Sequence, residues 1–312
     1  MPNFKLWLPA FVFLTSLLGT SIWISQKERE LNLKNSGAAI YNPVPVATGK
    51  HSLPTLNTAD IKAEAFVVGT ASGKIIAEKN KDVKVPIASI TKIMTGLLLE
   101  ERGSDAVIWL TPEAKKAKPK LSAFPAGTIL SKDVAATLLL VESDNDIAES
   151  IARTLGIFFD AKVSFPRESF IKGMNRKAVS LGMQNTHFAN PTGLDSPEHY
   201  STASDIFRLV QYVSQKYPGF WDRTANPPDS VASLSGAKID LTSSNLLAGY
   251  PGLIGGKTGL TDEALGALVL KYRTEYFPED LIIVILRSAD RFKDGEAFLR
   301  EIEKAFKKSI GR

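Results

Sequence analysis

The feature that most constrains this 312-residue chain is an ordered set of three short motifs: Ser89-Ile90-Thr91-Lys92, then Ser143-Asp144-Asn145, then Lys257-Thr258-Gly259. Each alone is weak, because ordinary residue frequencies place roughly one Ser-Xaa-Xaa-Lys in a chain of this length by accident. The weight lies in the set, its order and its flanks.

The residues around the first motif carry a chemistry of their own. Ile90, Ile93, Met94, Leu97 and Leu98 follow helical spacing, which predicts a helix from Ser89, with one apolar stripe in the core and Gly103 as its stop. Residues three apart share a helix face, so the Lys92 amine reaches back to the Ser89 hydroxyl. Ser89 is the expected nucleophile, placed where free backbone N–H groups at a helix start stabilise a developing oxyanion. A lysine with the reference pKa near 10.4 is only about 0.04% deprotonated at pH 7, so a base role for Lys92 requires a depressed value. Lowering it to about 8 takes about 3 kcal/mol of differential interaction, which burial and the nearby cation Lys257 could supply.

Ser143 and Asn145 fall in a turn between two predicted helices, and Asp144 and Asp146 read as charges at a helix start. Lys257-Thr258-Gly259 falls on a strand edge, where ammonium and hydroxyl can receive a carboxylate and glycine permits close approach. The stretch from Gly252 to Thr258 resembles a phosphate-binding loop at first sight. Its spacing is one residue short and Pro251 stands where glycine is required, so nucleotide binding is set aside.

With their flanks, Pro86 to Thr95, Glu142 to Asp146 and Gly255 to Thr261, the motifs closely resemble those of the low-molecular-mass penicillin-binding D-alanyl-D-alanine carboxypeptidases. Asn185 to Leu194, His199 to Ala203 and Ser244 to Leu247 are similar to that family too, and the resemblance runs from about Glu64 to Phe306. It implies an α+β, β-lactamase/transpeptidase-like fold, with an antiparallel sheet flanked by helices and a helical insertion. It implies that Ser143 and Asn145 enter the cleft opposite Ser89, Ser143 relaying a proton to the leaving amine and Asn145 holding the substrate backbone and Lys92. It further implies that the backbone N–H of Leu260 joins that of Ser89 in the oxyanion hole.

The implied activity is removal of the terminal D-alanine from peptidoglycan stem peptides through an acyl-enzyme on Ser89, with β-lactams as inhibitors. The alternatives are a D,D-endopeptidase or β-lactamase of the same fold, or a low-turnover wall-binding protein. One departure is local: Leu265 separates Ala264 from Gly266, where the family usually has alanine followed directly by glycine.

Outside the motifs, Leu6 to Ile24 is almost wholly apolar and long enough to span a bilayer. An anchor is favoured over a cleaved signal, because the small residues Gly19, Thr20 and Ser21 lie inside the apolar run. Residues 1–25 are therefore read as anchor or signal, 26–57, with Pro43, Pro45 and Pro54, as an extended tether, and 58–312 as the peptidase domain. The chemistry places that domain on the extracytoplasmic face of the membrane. No cysteine is present, which excludes disulfides and thiolate metal sites.

The net charge of +5 speaks only faintly for an anionic surface and not for nucleic acid. His51, His187 and His199 lack metal-ligand spacing, so no metal or cofactor is expected, and Lys115, Lys116, Lys118 and Lys120 read as a solvated face.

The predicted elements are a hairpin of 63–68 and 74–78, helices at 131–141, 146–154, 170–181 and 202–216, strands at 253–260, 265–272 and 281–286, and a closing helix at 295–306.

Overall fold

A computed structural model describes residues 53–102, 106–116, 122–159 and 165–311. The proposed anchor, most of the tether, the helix stop at Gly103 and Lys118 and Lys120 lie outside those residues. Among the described residues no helix is long and apolar enough to cross a membrane.

Five antiparallel strands form the central sheet: β1 (Ala65–Thr70), β2 (Ile75–Lys79), β7 (Leu253–Thr261), β8 (Leu265–Tyr272) and β9 (Leu281–Ser288), in the order β2-β1-β9-β8-β7. Two short ribbons, β3 (Val107–Trp109) with β4 (Ile129–Ser131) and β5 (Ser230–Ala232) with β6 (Lys238–Asp240), stand apart from it and were not legible in the sequence. Strands of three residues carry too little alternation to be read.

The sheet is covered on both faces, and strand alternation divides the two cores. From β9, Ile282, Val284 and Leu286 face the larger core, while Leu281, Ile283 and Ile285 face the smaller. The larger core contains α1 (Lys92–Arg102), α2 (Lys132–Thr137), α3 (Asn145–Leu155), α4 (Pro166–Ser180) and α5 (Ala203–Lys216). On the other face lies α7 (Arg291–Ile310), which follows the short α6 (Asp222–Ala225), with Phe298 edge-on to Phe66 at 5.0 Å between ring centroids. Leu53 and Leu56, read from the sequence as the end of the tether, pack on this second core, and Asn57 donates its N–H to Glu301.

Helix boundaries follow their caps. Ser131 accepts from the Val134 N–H, Asp144 from those of Asp146 and Ile147, and Thr202 from that of Asp205, each fixing a helix start within a residue of the sequence expectation. At α4 the sequence reading began four residues late, because Pro166, suited to the first helical turn, was not used as a start signal. The closing helix is longer at both ends than expected and is capped by Asp290.

The nucleophile helix differs in kind from the expectation. Instead of one buried stripe, all residues from Lys92 to Leu99 are buried, making α1 a central helix, and a 3-10 turn over Ala88–Thr91 precedes it.

Candidate active site

Ser89 lies in that 3-10 turn, and Lys92 opens α1 one turn on. The Lys92 Nζ is fully buried and donates to Ser89 Oγ at 2.8 Å, to Asn145 Oδ1 at 2.7 Å and to the Thr192 carbonyl at 2.7 Å. If one proton is withdrawn from that ammonium, the amine has a lone pair for the hydroxyl proton of Ser89.

A second serine–lysine pair faces the first. The helix α2 runs on as a π-helical turn over Leu138–Glu142 and ends at Ser143, whose φ of +66° puts a non-glycine residue in the left-handed region. From β7, Lys257 donates to Ser143 Oγ at 2.7 Å and to the Thr258 carbonyl at 2.8 Å. The sequence reading assigned both the Lys257 ammonium and the Thr258 hydroxyl to a carboxylate. In the structure Lys257 is fully buried behind Ser143, whereas Thr258 lines the cleft and donates to Ser244 Oγ at 2.8 Å.

The cleft at these pairs has a volume of about 580 Å³ and is lined by Ser89, Ser143 and Asn145 together with Thr258, Gly259 and Leu260 of β7. β7 is an edge strand of the sheet, and a Cβ on Gly259 would come within 3.1 Å of the Ser89 nitrogen. Glycine is what lets the strand edge approach the nucleophile turn so closely. Leu265 has φ +53° and pairs with Thr261 across a tight β7–β8 connection, so the residue that interrupts the family pattern occupies a position suited to glycine.

Residues 52–289, more than half the chain, match the D-alanyl-D-alanine carboxypeptidase family. The chain belongs to that family. It is 31% identical over 201 residues to a D-alanyl-D-alanine carboxypeptidase of Bacillus subtilis, covering 64% of this chain and 51% of that relative, so the match spans about half the relative's length. A D-alanyl-D-alanine endopeptidase of Pseudomonas aeruginosa is 30% identical over 262 residues, 81% of this chain and 79% of the relative. Among solved structures, penicillin-binding protein D2 of Listeria monocytogenes in its ampicillin-bound form is similar with a TM-score of 0.65 and 28% identity, over 78% of this chain and 98% of that one.

Within this family framework the central motif joins the two serine–lysine pairs: Ser143 meets Lys257, Asn145 meets Lys92, and Asp144 lies buried between them. Burial and the neighbouring Asp146 push the Asp144 carboxyl up to about 7, against the pull of the two N–H groups it caps. Lys115, expected on a solvated face, pairs with buried Asp146 at 2.9 Å and donates to the Ser122 carbonyl. Leaving a buried acid without a partner is costly, so the fold brings a cation to it, and charge spacing alone does not show that.

Sequence reasoning missed Arg291. It lines the same cleft from the first turn of α7, its guanidinium 4.4 Å from the Phe292 ring centroid and its buried Nε without a hydrogen-bond partner among the described residues. Nothing in its local sequence marks it, because only the sheet order brings the start of α7 beside β7 and β8. Among the described residues no group of three His, Asp or Glu side chains is placed to hold a metal.

Proposed function

We propose that this protein is a serine D,D-carboxypeptidase that removes the terminal D-alanine from peptidoglycan stem peptides. The observation that carries the reading is the contact of Lys92 Nζ with Ser89 Oγ at the cleft wall, backed by the second pair at Ser143. Ser89 Oγ attacks the carbonyl of the D-Ala-D-Ala bond while its proton passes to neutral Lys92. The N–H groups of Ser89 and Leu260 stabilise the oxyanion. The C–N bond breaks as the leaving amine takes a proton through Ser143, held by Lys257, and water then hydrolyses the ester.

The terminal carboxylate is received by Thr258 and by Arg291, the cation on the cleft wall, since Lys257 is engaged behind Ser143. β-Lactams acylate Ser89 as substrate mimics, a reading supported by the ampicillin-bound relative. The domain is held at the extracytoplasmic face by residues 6–24, with the following segment as tether, a placement that rests on the apolar length of the sequence.

The deciding experiment measures D-alanine release from a pentapeptide ending in D-Ala-D-Ala. Release by the parent and loss in Ser89→Ala support the reading, and no release by a parent that still binds labelled penicillin overturns it. A second reading, D,D-endopeptidase, is favoured by the Pseudomonas relative, which matches over more of both chains than the Bacillus carboxypeptidase does. A cross-link made through a side-chain amine such as that of lysine has no carboxylate on the carbon bearing the scissile nitrogen. Arg291→Gln should therefore lower kcat/KM on the pentapeptide about tenfold or more and leave cleavage of a dimer cross-linked through lysine within about twofold.

A further inference from the structure

Ala88, the residue before the nucleophile, has φ +47°, a left-handed conformation that costs a non-glycine residue about 1 kcal/mol or more. Its carbonyl is held from two sides. Thr91 Oγ1 donates to it at 2.8 Å, and the backbone of Gly193 lies so close that a Cβ there would fall 1.8 Å from the Ala88 oxygen. Because a peptide unit is planar, the Ala88 carbonyl and the Ser89 N–H point in opposite directions from one rigid plate. Fixing the carbonyl fixes the direction of the N–H that the reaction needs for its oxyanion.

Thr91 is held in turn by His199, which is buried against Phe188. His199 Nε2 lies 2.6 Å from Thr91 Oγ1, and the Ala189 N–H donates to His199 Nδ1 at 3.1 Å. The hydroxyl has one hydrogen, given to Ala88, so it must accept from Nε2–H, and Nδ1 must keep its lone pair for Ala189. Only the neutral Nε2–H tautomer satisfies every bond. Burial, aided by the neighbouring His187 and Lys92 and opposed by Asp195, lowers the imidazole to about 4 and keeps the ring neutral at neutral pH.

We propose that His199 is a positioning residue for the oxyanion hole, acting through Thr91 and the Ala88 carbonyl on the direction of the Ser89 N–H. The inference rests on the reading of Ser89 as nucleophile. Its loss removes orientation of a transition-state donor and leaves ground-state binding alone.

The test is the acylation rate by labelled penicillin, with non-covalent affinity measured separately, for the parent, His199→Leu, His199→Gln and Thr91→Val. We expect about a tenfold or greater loss of acylation rate in His199→Leu, with the dissociation constant within about twofold. His199→Gln should recover most of the rate, because its amide can accept from Ala189 and donate to Thr91. Thr91→Val should show the same loss, and the double variant with His199→Leu no further loss. Parental rates in His199→Leu or Thr91→Val, or a glutamine variant no better than leucine, overturn the proposal. If His199→Leu does not fold, Thr91→Val decides alone. A parent that is not acylated at Ser89 overturns the nucleophile reading instead.

Discussion

The two serine–lysine pairs have nearly the same contact length, 2.8 Å for Ser89 with Lys92 and 2.7 Å for Ser143 with Lys257, and reach it by opposite routes. The first is local, its partners three residues apart where the 3-10 turn runs into α1. The second joins the end of α2 to β7 and exists only if the helical region and the sheet dock in register. The difference teaches that the nucleophile pair is set by helix geometry, whereas the pair across the cleft reports on how the two halves of the fold meet. Asn145 and Ser143 tie them together, since one turn supplies a partner to each lysine.

The comparison breaks most directly by removing each ammonium in turn. Lys92→Met deprives Ser89 of its base and should lower acylation by labelled penicillin by about 10³-fold or more. It also leaves Asn145 and the buried Thr192 carbonyl without this donor, at a cost of about 1–3 kcal/mol each. Lys257→Met leaves the Ser89 pair in place and should slow acylation about 10²-fold, with a larger effect on D-alanine release if Ser143 handles the leaving amine. Equal losses of acylation in the two variants would show that the pairs act as one unit and that the distinction between them fails.

What was legible in the sequence follows the same division. The nucleophile helix, the caps at Ser131 and Thr202 and the three long strands rest on periodicity or on contacts within four residues, and the structure places them within a few residues of the reading. The family resemblance supplied the meeting of the three motifs, which spacing alone does not contain. Invisible in the sequence were features made by packing: the burial of α1 on every side, the removal of Lys257 from the cleft, the pairing of Lys115 with Asp146, and the arrival of Arg291. Each depends on which distant element lies alongside, and no local pattern encodes that neighbour.

A smaller effect sharpens the role of the connecting turn. Asp144 has a folded-state pKa of about 7 against an unfolded 3.8, so the native protein binds the extra proton more tightly. Stability from this group is fully present below about pH 4 and is lost as pH rises through about 7. Asp144→Asn keeps the oxygen that caps α3 and removes the buried charge. Thermal unfolding should give equal Tm values for parent and variant at pH 4, and at pH 8 a more stable variant, by an amount on the order of 4 kcal/mol at most. The contribution of His199 has the opposite sign, being lost as pH falls through about 4, but it is common to both proteins and cancels in the difference. A variant less stable than the parent at pH 8 would mean that the carboxylate is needed as a charge, balancing Lys92 beside it.

The smallest change tests whether the second pair depends on the tip of its own hairpin. Leu265→Gly removes a left-handed leucine whose side chain is partly exposed, relieving about 1–2 kcal/mol of backbone strain while giving back about 0.5–1 kcal/mol through the added freedom of the unfolded chain. The net expectation is a gain of about 0.5 kcal/mol, read as a slight rise in Tm. Acylation should remain within about twofold, because Lys257 pairs with Val269 well down the ladder, where register is fixed by the buried residues of β8. A substantial loss of acylation with unchanged stability would show that the strained leucine sets the position of β7 against Ser143. The hairpin tip, rather than the buried ladder, would then hold the second pair in place.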